Sequence, residues 1–403
     1  MSASAALIAS ATEEIQEPHG GVKTRPLRVL TLTPFYPSAE DPTQGEFISQ
    51  PLTRMGHLGI SHEVIAVQPF YRRLGHSAEN GTVTWKNYLS IPGNVGLSLA
   101  GNSLAGGAMP TILRKDRETP FDLIHAHAAL PCGHAAALIS KRLSIPFVVS
   151  VHGLDAFFVR QAGAVIGNWC SRVAGRVYRS AGAVICISEK VREQVLSAAA
   201  ASTTVIYNGV DPEKFFPEIE PNSRLIVLCV GNLIAIKGHA LLLRAFARML
   251  GHVPDCSLEI IGDGPERGRL TQLATQLRIA GRVHFRGRQN RSEVAEAMRQ
   301  CAIFALPSTY EGLGCVYFEA MACAKPAIGC CGQGIEEIIE HGKTGMLVAA
   351  GSEGELSNSL RALLLDRPLR LRMGLAARQA VLDRLTVNHQ AQQLADVYRR
   401  CVR

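Results

Sequence analysis

No stretch of this 403-residue chain approaches the roughly 18–20 uninterrupted apolar residues that span a membrane. A secretory leader is not expected either. Ala5–Ala11 is apolar, but no basic residue precedes it and Glu13, Glu14 and Glu17 follow at once, whereas a leader has a charged start and a longer apolar core. These absences predict a cytoplasmic protein. There is no Cys-x-x-Cys pair. The eleven cysteines are odd in number and lie mostly in apolar runs, such as Cys186 in AVICIS and Cys229 in VLCVG, and the adjacent Cys330 and Cys331 lack further ligands at zinc-finger spacing. They read as small buried hydrophobes in a reducing compartment, with neither a disulfide framework nor a structural metal. Aromatics are only 6% of the chain, and no lysine tract is interleaved with them, which makes nucleic acid the least favoured partner. What is present is a globular composition, 47% hydrophobic and 19% charged, on a chain long enough for two domains. The net charge of +8 suits an anionic partner such as a phosphorylated substrate or an acidic phospholipid.

Short apolar runs alternate with helical stretches from Leu27 onward. LRVLTL (27–32), EVIAV (63–67), DLIHA (122–126), FVVSV (147–151) and AVICI (183–187) read as strands. A linker follows in DPEKFFPEIEPNS (211–223), and a second series opens at RLIVLCVG (224–231) and runs through LEIIG, VHF and AIFALPS. Strand–helix alternation predicts parallel sheets covered on both faces. The expected organisation is a disordered tail over 1–26, one α/β domain over 27–218, another over 219–386, and a last helix over 387–403 that crosses back onto the first domain. The glycine-rich segment 71–119 breaks the rhythm and is expected to leave the sheet. Two doubly wound domains leave a cleft between their strand C-termini.

The sharpest chemical signal is YEGLGCVYFEAMACAKP, from Tyr310. Glycines follow Glu311 at once, so the helix should begin after it, leaving Glu311 in the loop and Gly314–Val316 at the helix N-terminus. A helix N-terminus carries free N–H donors and partial positive charge, which suits a diphosphate. The plainer reading, two solvated glutamates on an amphipathic helix, fits poorly with glycines placed directly after an apolar strand. GDGPERG (262–268) has the setting of a dinucleotide loop, but Arg267 occupies the place of its third glycine. Nicotinamide chemistry is therefore disfavoured.

The glutamate pair resembles the E-x7-E signature of the retaining glycosyltransferases of family 4, which have the GT-B fold of two Rossmann-like domains facing across a cleft. VICISEKVREQV, VIYNGVDPEKF, VGNLIAIKGHALLLRAF, IIGDGPERGRL and GQGIEEIIEHGKTGMLV resemble further segments of that family, in its order. The opening TLTPFYPSAEDPTQGEFI is similar to the branch that builds envelope polysaccharides such as teichuronic acid. The resemblance implies that Glu311 binds the hydroxyls of a donor sugar, that Glu319 binds ribose hydroxyls, and that Lys237 neutralises the diphosphate. Gly312, Leu313, Gly314 and Cys315 would complete the phosphate loop, with Gly287 and Arg288 against the nucleobase. Asn232 stands where the family usually has arginine, which shifts leaving-group stabilisation onto Lys237 and the helix N-terminus. Gly45 corresponds to a loop that approaches the phosphates, or is a glycine that simply starts a helix.

His152, past the end of a strand, resembles a family histidine beside the transferred sugar. Asp155 would orient His152 or the acceptor, or else cap a helix. In LIHAHAAL, His127 matches a family histidine, while His125 is assigned to packing on the opposite side of the strand. The implied reaction transfers a sugar from a nucleoside diphosphate, UDP by default, to an acceptor hydroxyl with retention, without cofactor or metal. The acceptor is expected to be a glycan or a lipid-linked glycan. Arg72, Arg73, Lys86, Arg114, Lys115 and Arg117 of the segment 71–119, beside the aromatic Phe70, Tyr71, Trp85 and Tyr88, would meet an anionic membrane surface, or else form a merely solvated basic loop. A nucleotide-sugar epimerase of GT-B architecture and an idle nucleotide-sugar-binding protein are the alternatives.

Overall fold

The computed structural model describes residues 25–38, 41, 44–71, 83–91, 96–153, 164–218 and 224–403. The expected tail falls outside them except for its last two residues. The first series runs β1 (Leu27–Thr33), α1 (Glu46–Met55), β2 (Ile60–Pro69), β3 (Val83–Tyr88), α2 (Leu97–Glu118), β4 (Leu123–His127), α3 (His134–Leu143), β5 (Phe147–Val151), α4 (Ala164–Ser180), β6 (Ala183–Cys186), α5 (Glu189–Ala198) and β7 (Thr203–Val205). Its seven strands form one parallel sheet in the order β3-β2-β1-β4-β5-β6-β7. Every residue of β4, β5 and β6 is buried, as strands covered on both faces require.

The second series runs β8 (Ile226–Val230), α6 (His239–Leu250), β9 (Ser257–Ile261), α7 (Arg267–Gln276), β10 (Val283–Gly287), α8 (Arg291–Gln300), β11 (Ile303–Ala305), α9 (Cys315–Ala322), β12 (Ala327–Cys330), β13 (Gly345–Val348), α10 (Glu353–Leu365) and α11 (Arg367–Arg384). Its sheet has the order β10-β9-β8-β11-β12-β13, again parallel. Strand order reverses between β1 and β4 and between β8 and β11. Crevices at such switch points are where doubly wound sheets bind ligands.

The expectation that 71–119 leaves the sheet is corrected. β3 pairs with β2 in register from Val64↔Val83 to Pro69↔Tyr88, and α2 is a helix of 22 residues. Its glycines and Pro110 hide the helical pattern, because glycine and proline have the poorest helix propensities. At Gly101 the glycine serves packing, since a Cβ there would lie 2.6 Å from the His134 ring. The helix can approach the start of α3 only without a side chain at that point.

The final helix, α12 (Val387–Val402), returns to the first sheet. Ala391, Leu394, Ala395, Val397 and Tyr398 join Val29, Ile48, Met55 and Val148 in one buried cluster. Gln390 Nε2 donates to Phe47 O at 3.3 Å, and an Arg399 guanidinium nitrogen donates to Leu58 O at 2.8 Å.

Candidate active site between the two sheets

The two sheets meet backbone to backbone. A Cβ on Gly312 would lie 3.2 Å from His152 O, and one on Gly153 would lie 3.1 Å from Gly312 Cα. Polar contacts close the same seam. Ser188 Oγ donates to Gly312 O at 2.6 Å, and Tyr310 Oη donates to Gly153 O at 2.9 Å. The Glu337 carboxylate accepts the N–H groups of Glu189 and Lys190 at 2.7 and 2.9 Å. A carboxylate from the second sheet thus caps a helix of the first, where its negative charge meets the positive end of the helix dipole.

Beside this seam lies a cavity of about 360 Å³. Its lining brings together His152, Asn232, Lys237, Glu311, Gly312, Leu313, Gly314, Cys315 and Glu319. α9 begins at Cys315, so Glu311 is in the loop, and Gly314 takes the left-handed conformation at φ 82°. Gln333 Oε1 fixes that loop by accepting the Glu311 N–H at 2.9 Å and the Lys190 ammonium at 2.8 Å. Lys237 follows β8 on a short turn ended by Gly238, and its Nζ donates to Glu311 Oε2 at 2.5 Å. The cavity therefore holds a cation, a helix N-terminus and a second carboxylate. Glu319 is 3% exposed at its side chain, and its Oε2 has no hydrogen-bond partner among the described residues. An unsatisfied buried acceptor carries a substantial desolvation cost, so this oxygen is suited to a hydroxyl donor entering the cavity.

Arg291, which none of the sequence motifs pointed to, also lines the cavity. Its Nη2 lies 2.6 Å from Glu319 Oε1 and its Nε lies 2.6 Å from Glu46 Oε2. The Nε contact is an ion pair without hydrogen-bond alignment. Burial works against the charge of Arg291, and the carboxylates of Glu319 and Glu46 more than reverse this, raising the guanidinium above its ordinary value. One local signal does exist in the sequence. Asn290 and Glu293 form a capping box, with the Asn290 side chain accepting the Glu293 N–H at 3.0 Å and the Glu293 carboxylate accepting the Asn290 N–H at 2.8 Å. The box makes Arg291 the first residue of α8.

Other expected residues fall elsewhere. Gly45 starts α1 at φ 76°, and a Cβ there would lie 2.4 Å from Phe35 O. It is the following residue, Glu46, that lines the cavity. Gly287 ends β10 outside the cavity lining, and Arg288, 72% exposed at its side chain, reaches Asp41 at 3.6 Å. Asp155 lies outside the described residues. His127 stands behind His152, its Nδ1 3.1 Å from His152 Nε2 and the rings stacked.

The placement of His125 and His127 on opposite sides of the strand is corrected. Residues two apart on a strand share a face, and their ring centroids are 4.2 Å apart. His125 bonds Tyr398 Oη at 2.6 Å through Nδ1 and Ser150 Oγ at 2.7 Å through Nε2. Burial lowers His152 to about 3 and His62 to about 3. Burial, reinforced by neighbouring histidines, places His125 and His127 well below the usual imidazole value. His152 therefore meets the cavity as a neutral ring. Among the described residues no group of three or more His, Cys, Asp or Glu is placed to hold a metal ion.

Paired parallel sheets around a cavity lined by Lys237, Arg291, a helix N-terminus and three glutamates have the GT-B architecture of glycosyltransferases. Comparison with known proteins agrees. The family described as Glycosyltransferase Family 4 matches residues 52–214, and that described as Glycosyl transferases group 1 matches 210–380. An uncharacterised glycosyltransferase of Methanocaldococcus jannaschii is 30% identical over 254 residues, covering 63% of this chain and 68% of that protein. A putative teichuronic acid biosynthesis glycosyltransferase of Bacillus subtilis is 27% identical over 330 residues, covering 75% and 80%. Sucrose-phosphate synthase of Thermosynechococcus elongatus shares the fold with a TM-score of 0.75 at 19% identity, over 93% of this chain and 98% of that one. The Anabaena protein HepE, crystallised with UDP-glucose, does so at 0.71 and 21%, over 92% and 98%. The chain belongs to glycosyltransferase family 4.

Proposed function

We propose that the protein transfers a hexose-type sugar from a nucleoside diphosphate sugar, with UDP as the first donor to test, to an acceptor hydroxyl with retention of configuration. The observation that carries this reading is the buried Glu319 Oε2, unpartnered in a cavity that also holds Lys237 and the start of α9. In this reading Glu319 accepts a ribose hydroxyl, Glu311 accepts hydroxyls of the sugar, and Lys237 with the α9 N-terminus faces the diphosphate. The acceptor oxygen attacks the anomeric carbon on the face the diphosphate leaves. The C–O bond to the diphosphate breaks, and a diphosphate oxygen takes the acceptor's proton. Positive potential from Lys237 and the helix stands in for a divalent cation, so transfer should persist in excess chelator. Loss of transfer that magnesium or manganese restores would refute metal independence.

Calorimetry with UDP, GDP and ADP tests the donor site. Glu319→Ala is expected to cost roughly 1.5–3 kcal/mol of nucleotide affinity, the worth of a hydrogen bond to a charged group. A folded variant that binds every nucleotide as the parent does would remove Glu319 from the site. Donor consumption also separates the alternatives: an epimerase would convert the sugar nucleotide with no acceptor present, and an idle binder would consume none.

For the acceptor we propose a glycan or lipid-linked glycan of the cell envelope, in keeping with the teichuronic acid relative. The membrane-facing surface expected over 71–119 changes in composition. Lys115 is paired with Glu63 at 2.7 Å, Tyr88 is buried, and Arg72 and Arg73 lie outside the described residues. Arg114 and Arg117 are exposed as expected, as are Phe70 and Tyr71, and Leu89 and Ile91 after the C-terminal end of β3 and Leu99 in the first turn of α2 add exposed apolar surface. No helix among the described residues is long and apolar enough to cross a membrane. Binding to vesicles should rise with anionic lipid, at about 1 kcal/mol per basic residue at the surface, and fall with salt. Equal, negligible binding to neutral and anionic vesicles would favour a soluble acceptor.

A further inference from the structure

Arg291 joins the two halves of the molecule at the carboxylate assigned to the ribose. Resting on that assignment, we propose that Arg291 is a positioning residue that makes ribose recognition by Glu319 depend on closure of the cleft, with Glu46 of α1 as its anchor in the opposite domain.

The geometry gives each oxygen of Glu319 one task. Oε1 lies 2.6 Å from Arg291 Nη2, and the buried Oε2 has no partner among the described residues. A carboxylate this deeply buried needs a compensating charge, and Arg291 is the cation beside it. Arg291 is held in turn from the other side of the cleft. Glu46 lies 2.6 Å from its Nε, and Glu46 is itself set by Gln50, whose Nε2 donates to it at 3.1 Å, and by Lys214 at 3.6 Å. The guanidinium carbon sits 4.9 Å from the centroid of the Phe215 ring. A planar fork can address two carboxylates through different nitrogens, which a single ammonium group cannot do in the same geometry. When the first domain swings away it takes Glu46 with it. Arg291 then loses one of its two counter-charges and the restraint that aims it, and Glu319 loses a fixed partner. Because a hydroxyl on Oε2 would leave the Oε1 contact in place, nucleotide and bridge can coexist.

A double-mutant cycle in the full chain tests this, with UDP as the titrant in calorimetry. Glu46→Gln removes one charge at almost constant shape and is expected to weaken UDP about tenfold. In an Arg291→Ala background the same change should cost nothing further, which a general loss of packing would not produce. Arg291→Lys should fail to restore parental affinity. Arg291→Gln is the second background should the alanine variant unfold. An equal penalty for Glu46→Gln with and without Arg291 overturns the proposal. So does UDP binding in Glu46→Gln as tight as the parent's or tighter, the latter meaning that Glu46 merely occupies a phosphate's place. Affinity that depends on Glu319 but not on Glu46 sinks the coupling alone. A parent chain that binds none of UDP, GDP and ADP sinks the donor assignment and the coupling with it.

Discussion

Lys237→Ala is expected to lower turnover by about 10²–10³-fold, the usual loss when one preorganised group facing developing negative charge is removed. The ammonium sits in the cavity 2.5 Å from Glu311, with its side chain only 15% exposed. Among the described residues the other cation lining that cavity, Arg291, is paired with Glu46 and Glu319, and Asn232 brings no charge. As the diphosphate departs, its negative charge grows next to this ammonium, so the deficit should fall on kcat more than on donor KM. Lys237→Arg keeps the charge and should retain much more activity than the alanine variant. Asn232→Arg should be tolerated, since it adds positive charge on the same side of the cavity. Initial rates for each variant with its preferred donor are the measurement. An alanine variant with parental turnover on every donor tried would mean the diphosphate lies elsewhere.

Mild acid should unfold the first domain before the second. Burial keeps His62, His125, His127 and His152 below their ordinary value in the first domain, while in the second it lowers His239 to about 4. The unfolded chain takes up protons on all five near pH 6.5, and the folded chain does not. Stability from this source is therefore complete above about pH 6.5 and drains away as pH falls below it. For His62 and His152 the loss continues towards pH 3, and for His239 towards pH 4. Each such histidine contributes about 1.4 kcal/mol per pH unit. Four together approach the whole stability of a typical domain, about 5–15 kcal/mol, within two units. Melting followed between pH 8 and 5 should show one transition moving steeply down while a second lags. A melting temperature that is flat across this range would contradict the neutral assignment of the cluster.

How much of the molecule was legible in the sequence depended on how local each signal is. The Glu311–Glu319 loop and helix could be read because glycines, strand and helix are contiguous. The alternating strands could be read because a strand buried on both faces is a plain apolar run. Arg291 could not, since what makes it functional is Glu46, which lies in the other domain, and no periodicity relates the two. The same holds for Glu337, whose role as the cap of α5 exists only once the two sheets meet. The helix α2 was hidden by its glycines, of which Gly101 serves packing against His134 rather than a turn. Gly45 was ambiguous for a similar reason: a left-handed helix start and a phosphate loop both call for glycine, and only the contact with Phe35 separates them.

The return of α12 to the first sheet has a consequence for how the protein is made. Tyr398 bonds His125 and fills one face of a sheet whose first strand begins at Leu27. The part of that face not covered by α1 therefore stays open until the second domain has been synthesised. A domain that would ordinarily fold as it leaves the ribosome has to wait for the sixteen-residue helix α12, which follows the whole second domain, exposing apolar surface in the meantime. Chains cut before Val387 would have an intact second domain and a first that cannot close. Such products should appear as aggregates or chaperone-bound chains rather than as soluble half-enzymes.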